Sequence, residues 1–122
     1  MPEWFEAGGW VMWFEIAIGL VAGAAAVRFA LRPDPTQLAR IAELRRALAW
    51  ALVTGVASDV SAVGIHIAGK PEWAHSPDLA VLVLQGVGES MSPAMLGGAL
   101  LSIVSLLMAA GQGRLRAQGA AP

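Results

Sequence analysis

The chain has 122 residues, 57% of them hydrophobic and 14% charged, with a mean hydropathy of +0.62. Soluble domains carry about 25% charged residues, so this composition points to a single small membrane domain. A net charge of −1 gives no footing for nucleic acid, and the absence of cysteine excludes disulfides, thiol catalysis and Cys-ligated metals. Glu3 and Glu6 make the N-terminus acidic where a signal peptide needs a basic region, so cleavable targeting is not expected.

Three apolar runs follow in chain order. The first, Trp10–Leu31, is long enough for a hydrocarbon core of about 30 Å. It holds Glu15 near its start, where the carboxylate is expected to reach water, and closes on Arg28 and Arg32 before Pro33-Asp34-Pro35 stops the helix. A cytoplasmic connector, 32–46, carries an amphipathic stretch with Leu38, Ile41 and Leu44 at helical spacing. The second run covers 47–68, and a polar, proline-bearing loop, 69–78, leads to the third, 79–110. As a straight helix the third run would measure about 48 Å, so it must tilt, kink or project, and Pro93 predicts a kink or break. Residues 111–122 form a short tail.

All the arginines flank the first connection or follow the third run, whereas the loop 69–78 has only Lys70. The positive-inside rule then gives an all-α protein with three transmembrane helices, N-terminus outside and C-terminus cytoplasmic. Trp4, Trp10, Trp13 and Trp73 are expected at the outer interface, Trp50 at the inner one.

Ionisable groups in a span are costly and face helices or water. Asp59 reads either as hydrogen-bonding glue between helices or as a station on an ion path. Glu89, set among Gly86, Gly88, Ser90 and Ser92, is the main functional candidate. Ser58, His66, Ser90 and Ser92 are candidates for a secondary polar pathway, although His66 near the outer end reads first as an interfacial histidine. Thr54, Ser58 and Ser61 add a polar stripe to span two, as in a helix buried in an assembly. Gly19, Gly23, Gly55, Gly97 and Gly98 are expected to serve close helix packing, Gly19 and Gly23 in a GxxxG arrangement. There is no HExxH, GxSxG or phosphate-binding glycine loop, and His66 lacks an evident Ser partner, so an enzyme is not expected. No cofactor or metal is expected either.

Gly8-Gly9-Trp10-Val11-Met12-Trp13 resembles the opening of the MotA/TolQ/ExbB proton-channel family, where a Gly-Gly-x-x-Met stretch leads into the first helix. Gly86-Val87-Gly88-Glu89-Ser90-Met91-Ser92-Pro93-Ala94-Met95-Leu96-Gly97 is similar to that family's Gly-Ile-x-Glu-Ala-Leu-x-x-Thr-Ala-x-Gly pattern. Gly55-Val56-Ala57-Ser58-Asp59-Val60 looks like its Gly-Leu-Leu-Gly-Thr-Val, with Asp59 at the Thr position. The resemblance implies a bacterial inner-membrane homo-oligomer, typically a pentamer, lining a pore around single-span partner helices of the ExbD, TolR or MotB type. Asp59 and Glu89 would line its proton pathway. The chain departs from the family in its short connector and tail, and in Pro93 or Ala94 where Thr is usual near the proton path. The rival expectation is a non-conducting structural or adaptor subunit whose polar intramembrane residues stabilise helix packing.

Overall fold

A computed structural model describes residues 9–119. Trp4, Gly8, the acidic N-terminus and the last three residues of the tail lie outside this range. The described residues form only helices and turns. Helix α1 spans Trp10–Leu31, α2 Leu38–Ala68, α3 Leu79–Ser90 and α4 Ser92–Ala117, with a 3-10 turn at Pro35–Gln37 and a single helical turn at Pro71–Ala74. Three stretches are long and apolar enough to cross a membrane: α1, Pro35–Ala68, and α3 with α4.

Local chemistry sets these boundaries. Gly9 enters α1 with φ +67°, a conformation open to glycine. Asp34 accepts the Thr36 N–H at 3.0 Å, and Pro35 opens the turn that runs directly into α2. The amphipathic connector is therefore continuous with span two, because no breaker separates Leu38 from Ala68. The expected break in span three falls at Met91, and Pro93 occupies the first turn of α4, where its missing N–H costs no helical bond. Helix α4 runs on to Ala117, absorbing much of the expected tail.

Close approaches fix the register. A β-carbon on Gly55 would lie 2.6 Å from Val11 Cγ1 and 2.8 Å from Pro93 Cβ, so α1, α2 and α4 converge there. Gly97 lies against Leu52, Gly86 against Val63, Gly19 against Leu100 and Gly111 against Phe29. Helix α2 is thus antiparallel to the other long helices, and α1 runs parallel to α4. Beyond Gly55, residues 56–68 of α2 project about 20 Å further, accompanied by α3. The molecule is a three-helix bundle at its arginine-rich end and a two-helix hairpin at the other. The core sits in the three-helix part: Ala22, Ala26 and Phe29 of α1 against Ile41 of α2 and Val104, Met108 and Leu115 of α4.

This stagger corrects the expected aromatic belt. Trp10 stands beside the Val11–Gly55 contact, whereas the Trp73 ring packs on His66 at 4.9 Å. The two levels differ by about 16 Å along α2, so Trp10 and Trp13 do not share one with Trp73. Of the glycines expected to pack, Gly19, Gly55 and Gly97 do so within the chain, while Gly23 and Gly98 face open space. Gly86 and Gly111 pack closely without having been singled out.

Candidate functional site at the helix convergence

Four positions of α1, Glu15, Gly19, Ala22 and Ala26, form a stripe at alternating spacings of four and three. Such spacing keeps one face turned to a partner helix. Glu15 is the only charged member, and it is completely enclosed. Both of its carboxylate oxygens are buried without a hydrogen-bond partner. The expectation that Glu15 reaches water is corrected: the side chain is enclosed, and the register sets Glu15 inside the bundle, about level with Ala51 and Leu52 of α2.

Asp59 faces it from α2. In a helix each Cα–Cβ bond tilts toward the N-terminus, so on antiparallel helices Glu15 leans back toward Val11 and Asp59 leans back toward Gly55. The two side chains therefore lean toward each other from either side of the point where Val11, Gly55 and Pro93 meet. Asp59 is half-buried, and its Oδ2 is also buried and unpartnered. An unpaired buried carboxylate is costly in an apolar surrounding, so two on facing helices are an arrangement that packing alone does not require.

The α3–α4 break borders this pair. Ser90 and Ser92 are both buried, and the Ser90 hydroxyl donates to the Gly86 carbonyl at 2.8 Å. The contacts Gly86–Val63 and Pro93–Gly55 bring Ser90 to the level of Asp59. One residue away, a helical rotation of about 100° turns Glu89 to the exterior, where Gln85 Nε2 donates to its carboxylate at 3.4 Å. No hydrogen bond or ion pair joins Asp59 to Glu89 among the described residues. Glu89 instead shares a cavity of about 230 Å³ at the hairpin end with His66, Trp73 and Gln85. There Lys70 Nζ lies 4.1 Å from the Trp73 ring centre.

Asp59 and Glu89 thus fall in two separate polar zones. The interior zone contains Glu15, Asp59, Ser90 and Ser92. The outer zone contains His66 and Glu89. Ser58 belongs to neither, since Thr54, Ser58 and Ser61 lie on an exposed face of α2. No group of three His, Asp or Glu residues is placed to hold a metal ion among the described residues. Glu15 is the residue that sequence reasoning underweighted, and the signal that could have found it is the small-residue stripe Gly19, Ala22 and Ala26 continuing its own spacing. No family model matches the chain, and no curated protein or solved structure matches it.

Proposed function

We propose that this chain is a multi-pass subunit of a TolQ/ExbB-like proton-channel or stator assembly in a bacterial inner membrane, with its N-terminus outside and C-terminus in the cytoplasm. The observation that carries this reading is the Glu15–Asp59 pair, carboxyls with buried, unpartnered oxygens on two packed helices, one on each side of the Val11–Gly55 approach. Neighbouring carboxyls exchange protons as a coupled unit, and ionisable groups inside membrane spans typically serve proton relays. Glu89 and His66 in the outer cavity would pass protons between the outer surface and the pair, and Ser90 and Ser92 would support the transfer. The polar stripe of Thr54, Ser58 and Ser61 gives α2 a face for a second copy or for the single-span helix of a partner. Movement of that helix would be coupled to protonation of the pair.

The rival adaptor reading has one observation in its favour: Val11, Gly55 and Pro93 close tightly over the carboxyls, as in a static packing centre. Proton flux into proteoliposomes under an imposed membrane potential separates the two. The channel reading expects flux that E15Q and D59N abolish with the oligomer intact by native mass spectrometry. Absent flux from a correctly assembled wild-type complex, or flux unchanged in both variants, would overturn it. A stable monomer would remove the pore altogether.

A further inference from the structure

The arginine-rich end carries a second feature that the proton reading does not use. All seven arginines lie there, at Arg28, Arg32, Arg40, Arg45, Arg46, Arg114 and Arg116, against two acids, Asp34 and Glu43. Both acids are engaged: Asp34 caps Thr36, and Glu43 pairs with Arg46 at 2.9 Å. Arg114 donates to the Ala30 and Leu31 carbonyls, and Arg45 reaches Met108 Sδ. Arg28 and Arg40 have no hydrogen-bond or ion-pair partner among the described residues.

These two guanidinium groups border the same cleft, of about 330 Å³, between α1 and the start of α2. Its wall is apolar, formed by Val21, Ala24, Ala25 and Ile41. The alanines keep the wall shallow, so a trough runs along α1 from the arginines toward the middle of the helix. Gln37 lines the charged mouth, and its side-chain oxygen is buried and unpartnered. Cationic groups over an apolar trough on a membrane-spanning bundle match one kind of molecule, with an anionic head and a hydrocarbon tail.

We infer that this cleft binds an anionic glycerophospholipid, its phosphodiester held between Arg28 and Arg40 and one acyl chain laid along Val21, Ala24 and Ala25. Guanidinium groups suit this role because their planar donor forks match phosphate oxygens. The inference rests on the membrane-spanning architecture and not on proton transfer, so it survives if the Glu15–Asp59 reading fails.

Native mass spectrometry of the purified full chain, titrated with phosphatidylglycerol or phosphatidylcholine, tests it. The expected result is one phosphatidylglycerol per chain, retained at least about tenfold better than phosphatidylcholine. R28Q/R40Q should erase that preference, and R28K/R40K should keep much of it. Ala24→Phe fills the trough with both arginines intact and should also expel the lipid, while R116Q should leave binding unchanged. Thermal melts of each variant identify any that fail to fold. Equal retention of the two lipids would overturn the inference, as would undiminished binding in folded R28Q/R40Q. Competition by glycerol phosphate as strong as by the whole lipid would also overturn it, since the site would then read phosphate alone.

Discussion

Helix α2 serves two different environments along its length. In its first half, Ile41, Leu48, Ala51 and Gly55 are buried between α1 and α4, and the outward side carries Arg40, Glu43 and Arg46. Beyond Gly55 no residue of α2 is fully buried, and Val60 and Ile65 stand exposed, as do Val81, Leu84 and Val87 of α3. The first half is organised like a helical bundle, with an apolar face in and a charged face out. The second is apolar on its outer surface, as a lipid-facing or subunit-facing hairpin is. The Glu15–Asp59 pair lies at the junction of the two. A polar centre at that boundary is enclosed from the bundle side by a third helix and bordered on the other side by a two-helix element with fewer contacts.

The sharpest way to break this comparison is to truncate one large side chain in each half. Phe29→Ala empties the niche against Gly111 and should cost about 3–5 kcal/mol, whereas Leu84→Ala should change stability by no more than about 0.5 kcal/mol. Equilibrium unfolding in mixed micelles reads both, and a comparable loss from Leu84→Ala would show that the hairpin is packed after all. Gly55→Ala comes next: its new methyl group would press on Val11 and Pro93, at an expected cost of about 1–3 kcal/mol by the same measurement. Gly23→Ala and Gly98→Ala meet nothing within the chain and should be neutral, or gain up to about 1 kcal/mol from helix propensity. Loss of oligomer from either one, seen by native mass spectrometry, would instead place that glycine against a second copy. Arg114→Ala removes a cation from the C-terminal carbonyls of α1 and should cost about 0.3–1 kcal/mol, less at high salt.

The three apolar spans, the break near Pro93 and the clustering of arginine at one end were legible in the sequence because each depends on local composition. The stagger of α1 was not, because α1 is apolar on all sides and its hydropathy does not say which face turns inward or how far it slides along α2. That stagger is set by where glycines admit a neighbour: Gly55 admits Val11, Gly19 admits Leu100 and Gly111 admits Phe29. Glu15 was read by its distance from the start of its own helix, which places it near an edge, while its neighbours in space place it at the centre. Glu89 was read from its neighbours in the sequence. Its glycine and serine surroundings mark a helix that packs closely, but one residue of rotation decides that Ser90, not Glu89, faces Asp59.

The measurement that tests the account most directly is disulfide formation between helices α1 and α4 in native membranes, in a chain that has no cysteine of its own. Gly19→Cys combined with Leu100→Cys puts a thiol on each side of an existing contact, and removing the leucine makes room for the new β-carbon. Ready cross-linking of this pair, with little from Gly19→Cys and Ser90→Cys, is the result expected if Glu15 lies in the interior beside Asp59. Cross-linking of the second pair and not the first would slide α1 toward the hairpin end. Glu15 would then return to the outer rim, and the carboxyl pair would not exist.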